Sequence, residues 1–197
     1  MVYLRALGGP VRTAAGLPDD LFPLVKTSQL GPHLPIVKTE VIREAATIVM
    51  LATVAAAATR TFPGWLAAFS IVFGAWDLSF YAALKALLGW PPSFMTWDLL
   101  FLIPVPWVGP VLAPSIVSVT LVLGGIWGLM REPRRVDWIT WGLLIAGGAT
   151  VFASFVWDWR YIVDGGYPRW FPWALFWAGE AAGMVGVGRA HRRFRLN

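Results

Sequence analysis

Long apolar runs separated by short polar punctuation occupy the chain from residue 41 onward, and their lengths predict helices rather than strands. About 20 apolar residues in a helix cross a hydrocarbon layer about 30 Å thick. Five segments meet or approach that length: 41–59, 63–88, 97–130, 138–157 and 171–187. Thr39 reads as the N-cap of the first, with Glu40, Arg43 and Glu44 in its interfacial turns. Pro63 suits the first position of the second helix, and Gly89-Trp90-Pro91-Pro92 stops it.

The segment 97–130 does not fit one span. Its 34 residues would measure about 51 Å as a straight helix, and Pro104, Pro106, Pro110 and Pro114 interrupt its middle. The reading is a short half-helix over 98–103, an irregular stretch, and a full helix over 115–129. Backbone without partners is not tolerated against lipid, so the break must be buried in protein or line a wet cavity. The predicted fold class is therefore an all-α integral membrane protein with about five transmembrane helices, the third preceded by a half-helix and a Pro/Gly-rich break. Residues 1–40 form a membrane-proximal arm, 41–188 the helical domain and 189–197 a basic tail.

Composition sharpens this picture. The chain is 57% apolar and only 14% charged, with a mean hydropathy of +0.63, whereas soluble chains carry about 25% charge. Between residues 61 and 130 the only charges are Asp77, Lys85 and Asp98. With no Cys there is no disulfide scaffold, and with His33 and His191 as the only imidazoles no metal site is expected. The net charge of +5 comes from basic residues at the edges of the apolar runs, which speaks against nucleic acid as a partner and for the lipid bilayer. Arg131, Arg134 and Arg135 form one cluster, and Arg189, His191, Arg192, Arg193 and Arg195 the other. Both read as cytoplasmic flanks, which places the C-terminus inside a bacterial-type inner membrane. Five crossings then put the N-terminus outside, and a re-entrant 97–130 would return it inside. Residues 1–38, broken by Gly and Pro, show no signal peptide.

Most of the thirteen Trp residues fall at span ends, as an interfacial belt does. Trp76, Trp107 and Trp177 do not, and each either packs between helices or stacks on a flat ligand. Small residues mark packing faces: Gly124 and Gly128; Ala146, Thr150 and Ser154; Gly179, Gly183 and Gly186.

Ionisable groups within apolar runs are functional candidates because a charge there is costly. Asp77 lies fourteen residues after Pro63, about 21 Å along the helix, on a stripe with Ser70, Gly74 and Tyr81. Glu180 sits near the middle of the last segment between Gly179 and Gly183. If Asp77 and Glu180 face each other they form a proton-binding pair; otherwise each bonds to a hydroxyl on a partner helix. Lys85 lies about 12 Å beyond Asp77 and some 80° around, so it reaches toward Gly89-Trp90 instead. Asp98 reads as a cap at the positive end of the half-helix, or as part of a polar site with Trp107 at the Pro/Gly break. Asp158, Arg160, Asp164 and Arg169 read as solvated surface.

There is no GxSxG elbow, Walker-type loop, HExxH or Cys nucleophile, and no motif specifies a cofactor. Trp90-Pro91-Pro92 with Phe94 and Trp97 resembles a stretch of the tryptophan-rich sensory or translocator proteins, which bind porphyrins and sterols. The resemblance covers only those residues; that family's stretch connects its first two helices, whereas here it follows the second, and no site follows from it. The expected function is a buried polar cavity, built from Asp77, Glu180 and the break at 104–114, that binds or passes a proton or small amphipathic ligand. Other membrane subunits are candidate partners. The alternatives are an intramembrane enzyme acting on a lipid or isoprenoid, with Asp77 or Glu180 as general acid, and a purely structural subunit or assembly factor.

Overall fold

A computed structural model describes residues 34–131, 136–164, 166 and 168–194, with side chains from 38 to 130 and, apart from 165 and 167, from 136 to 190. Most of the N-terminal arm with His33, the Arg131–Arg135 cluster's side chains and the side chains of the tail from His191 lie outside the described residues. The described chain is mostly helical. In order it runs α1 (Leu34–Ala58), α2 (Phe62–Leu88), β1 (Trp97–Phe101), β2 (Trp107–Pro110), α3 (Leu112–Arg131), α4 (Trp138–Phe155), α5 (Trp159–Val163) and α6 (Trp173–Phe194). Four helical stretches, Lys38–Ala58, Phe62–Leu88, Leu112–Met130 and Trp138–Val163, are long and apolar enough to cross a membrane.

Helix boundaries follow local chemistry. α1 begins earlier than predicted, with Pro35 in its first turn where no helical N–H bond is lost, so Thr39 lies inside the helix and is not its cap. Thr61 caps α2 by accepting from the Gly64 N–H at 3.2 Å. The helix stops at Gly89, which takes a positive φ of 65° while its N–H bonds to the Lys85 carbonyl at 3.0 Å; glycine reaches this conformation without strain. Asp137 caps α4, its Oδ1 accepting from the N–H groups of Ile139 and Thr140.

The largest departure from the sequence reading is the region before α3. No half-helix forms over 98–103. Instead β1 and β2 pair antiparallel, with Trp97 opposite Pro110, Asp98 opposite Gly109, Leu99 opposite Val108 and, after a bulge, Phe101 opposite Trp107. Strands are tolerated here because the prolines that end a helix stand at strand ends and in the connecting turn, where no ladder donor is lost. The Ile103–Pro104 bond in that turn is cis. α3 starts at Leu112 rather than near 115, since Pro114 falls in its first turn. The asserted all-α class is thus corrected by one small two-stranded sheet.

The chain forms two compact units. The first holds the start of α1 up to Ala46, Phe80–Pro114 and Phe155–Phe171. Its core is Tyr81, Leu84, Trp90 and Val111, with Phe80, Leu88 and Leu100 packed against it. The hairpin is closed at its base by Val111 N–H to the Thr96 carbonyl at 2.9 Å and Leu112 N–H to the Phe94 carbonyl at 2.8 Å. Residues directly opposite in an antiparallel pair share a face, so the bare face of Gly109 lies on the side of Asp98. The rings of Phe155 and Phe171 fill that space; a Cβ on Gly109 would come within 2.9 Å of Phe155.

The second unit holds Thr47–Ser79, Ser115–Ser154 and the chain from Pro172 on. Here helices approach until backbones touch. A Cβ on Gly125 of α3 would meet the Ala67 carbonyl of α2 at 2.5 Å, and one on Gly147 of α4 the Gly179 carbonyl of α6 at 2.8 Å. Gly179, Gly183 and Gly186 do face α4, but the stripe they meet runs through Leu144, Gly147 and Val151. The predicted stripe of Ala146 and Thr150 is displaced by one residue: Gly147 is buried, and Ala146 exposed.

Candidate functional site

Two sets of buried carboxyls emerge, one in each unit. In the second unit, Asp77 of α2 is 7% exposed and its Oδ2 accepts a 2.7 Å hydrogen bond from Ser118 Oγ of α3. Gly74, one turn earlier on the same face, makes this possible: a Cβ there would meet the Ser118 carbonyl oxygen at 2.5 Å and Val122 at 2.9 Å. Glu180 of α6 is also 7% exposed, and the Thr120 hydroxyl of α3 donates to the Val117 carbonyl of its own helix at 2.9 Å. Neither Asp77 nor Glu180 forms an ion pair among the described residues.

Ser118 and Thr120 are two residues apart on α3, about 200° around the helix. Of the two hydroxyls, that of Ser118 goes to Asp77 and that of Thr120 to its own helix. The predicted hydroxyl neighbours of Asp77 are not its partners. Ser70 Oγ donates to the Leu66 carbonyl of its own helix, and the Tyr81 hydroxyl goes elsewhere. The sequence reading missed Ser118 and Thr120, although both stand in a stretch of α3 with no charge.

In the first unit, the Tyr81 hydroxyl of α2 donates to Asp98 Oδ2 of β1 at 2.8 Å, and Asp98 is 1% exposed. Asp98 is therefore a strand residue bonded across to a helix, not the cap of a half-helix. Trp90 stacks beside Tyr81 with ring centroids 6.2 Å apart. Lys85 does not approach the carboxyls of this unit through any bond seen here; its Nζ donates to the carbonyls of Pro91 at 2.9 Å and Gly89 at 3.4 Å. This matches its expected reach toward Gly89-Trp90. Trp107 is half-buried: its Nε1–H donates to the Ile103 carbonyl at 2.8 Å, and its ring lies against Phe101 and Phe155.

One carboxyl of the first unit was read only as an interfacial charge. Glu44 of α1 is 4% exposed, and its Oε2 accepts the Leu102 N–H at 2.9 Å across 58 residues of chain. Its neighbour Arg43 pairs instead with Glu40. Nothing in the spacing of Glu40, Arg43 and Glu44 distinguishes the buried member, because the distinction comes from where the hairpin lies.

Around residues 158–169, Arg160, Asp164 and Arg169 are exposed while Asp158 is half-buried with one oxygen buried; Arg169 lies 3.8 Å from Asp158 and its guanidinium 4.3 Å over the Tyr161 ring. Among the described residues no group of three or more His, Asp or Glu side chains is placed to hold a metal ion. Comparison with protein-family models, with curated proteins and with solved structures gives no match. The chemistry present is that of carboxyl groups paired with neutral hydroxyls or a backbone N–H, inside apolar surroundings.

Proposed function

We propose that this chain is a multi-pass protein of a cell's inner (plasma) membrane in which Asp77 and Glu180 bind protons. α6, with Glu180 as its only charge between residues 173 and 188, supplies a fifth crossing beside the four apolar stretches. Its basic end faces the cytoplasm under the positive-inside rule.

The observation that carries the reading is the Asp77–Ser118 bond. A buried carboxylate without a cation is costly, and a hydroxyl partner accommodates both states: it donates to the anion and accepts from the acid. The group can therefore gain and lose a proton without rearranging its neighbours. Glu180, 7% exposed on α6, is the second buried carboxyl of this unit. A small amphipathic molecule carrying a hydrogen-bond donor is the second ligand that the same carboxyls can accept.

The test is proton uptake by the purified full chain in lipid vesicles, comparing wild type with Asp77→Asn/Glu180→Gln. The account expects uptake that the double variant lacks; equal uptake by both would remove Asp77 and Glu180 from the function. Native mass spectrometry of the same preparation detects a retained amphipathic ligand or a partner subunit.

A further inference from the structure

Contacts within the second unit bring several helix ends to one side. The first turns of α2 and α4 adjoin, with the Phe62 and Trp141 rings 5.6 Å apart, and the last turns of α3 lie on α2 where Gly125 and Gly128 face Ala67. The end of α6 lies on the start of α4: Gly186 faces Leu144, and Arg189 Nε stands 3.7 Å from Asp137 Oδ1. Arg131 at the end of α3 and Arg60, two residues before α2, belong to the same side as Arg189. In the sequence these cations are far apart; the helix packing collects them.

Arg189 is poorly served by its neighbour. Asp137 already accepts from the N–H groups of Ile139 and Thr140 and from the Thr140 hydroxyl, and 3.7 Å is too long for a hydrogen bond. The Arg189 Nε is buried without a hydrogen-bond partner among the described residues. Beyond Arg189, α6 continues to Phe194, so it overhangs the start of α4 by about 7 Å. Arg192 and Arg193 stand on this overhang, three and four residues after Arg189 and hence on its face of the helix. Trp138 of α4, 80% exposed at this end, suits the level of a membrane interface.

We propose that Arg189, Arg192 and Arg193 form a site for the phosphate of an anionic phospholipid in the adjoining leaflet. Orientation of a membrane protein is served by Lys and Arg alike, yet Arg60, Arg131, Arg189, Arg192 and Arg193 include no Lys, and the chain's Lys26, Lys38 and Lys85 stand in other segments. A guanidinium fork grips phosphate through two parallel bonds, which an ammonium cannot do. The inference rests on the chain crossing a membrane and is independent of proton binding at Asp77.

The test is native mass spectrometry of the purified full chain in detergent holding equal amounts of phosphatidylglycerol and phosphatidylcholine, whose phosphate is matched by its own cation. Wild type is expected to retain phosphatidylglycerol several-fold over phosphatidylcholine. Arg189→Gln/Arg193→Gln should lose that preference, and Arg189→Lys/Arg193→Lys, which keeps the charge but not the fork, should lower it several-fold. Arg160→Gln/Arg169→Gln removes two exposed cations of the first unit and should leave it unchanged. Equal retention of both lipids by wild type, a Lys variant that matches wild type, or the same loss in Arg160→Gln/Arg169→Gln overturns the inference. So does displacement of the lipid by inorganic phosphate but not by chloride at equal ionic strength, which marks a free-anion site. Retention of neither lipid counts against membrane crossing as well.

Discussion

Ser118 Oγ reaches Asp77 Oδ2 at 2.7 Å because Gly74, three residues before Asp77 on α2, presents no side chain to the backbone of Ser118. The polar contact and the close helix approach are one feature. Each apolar stretch buries little of its own surface within the chain, so the helices meet through narrow strips of glycine and hydroxyl groups, as helices in lipid do.

Gly74→Ala should therefore act on the carboxyl as well as on packing. Its Cβ would lie 2.5 Å from a backbone oxygen, which cannot rotate away, and overpacking of this kind costs about 1–3 kcal/mol. Gly142→Ala is the matched control, because nothing lies within 4 Å of the added atom. Thermal unfolding in detergent should separate the two, with Gly74→Ala lower and Gly142→Ala no lower than wild type.

Removing the hydroxyl isolates the polar term. Ser118→Ala leaves the buried Asp77 oxygen without its donor, a loss of about 1–3 kcal/mol. In an Asp77→Leu background the same substitution should cost much less, giving a coupling of about 1 kcal/mol or more in a double-mutant cycle. Additive effects would mean that the two side chains do not support one another.

The hairpin gives a contrast between two residues of one helix. Tyr81→Phe removes the donor to Asp98 and should destabilise by about 1–3 kcal/mol, with a changed near-ultraviolet circular dichroism from the neighbouring Trp90. Lys85→Met removes bonds that are at least partly exposed and should cost at most about 1 kcal/mol. It should also leave proton uptake at its wild-type level, since Lys85 bonds to carbonyls of the Gly89–Pro91 turn.

Gly109→Ala tests the aromatic packing beside Asp98. The added methyl group would press on Phe155 at 2.9 Å and Phe171 at 3.1 Å, so a loss of about 1–3 kcal/mol is expected. The measurement is again the unfolding midpoint, with the near-ultraviolet spectrum showing whether Trp107, stacked on Phe155, moves with it.

The helices were legible in the sequence because apolar length and Pro/Gly punctuation act locally. α2 and α4 start within a residue of their predicted positions, and the glycines of α6 do line its contact with α4. The hairpin was not legible. Its residues, Trp97 to Pro110, are apolar without a clear period, and four nearby prolines argue against a long helix without distinguishing a half-helix from strands. Asp77 and Glu180 were picked out by cost alone. Ser118, the partner of Asp77, was not, since a hydroxyl in an apolar helix carries no signal until the facing helix is placed. Glu44 escaped for the opposite reason: beside Glu40 and Arg43 it looks like one of a surface group, and its partner, the Leu102 N–H, lies 58 residues away.

Proton binding at Asp77 is most directly tested by infrared difference spectroscopy of the reconstituted chain between acid and alkaline buffer. Wild type should show the carbonyl band of a protonated carboxyl that disappears as pH rises, with one component missing in Asp77→Asn and another in Glu180→Gln. A difference spectrum unaltered by Asp77→Asn would contradict the account.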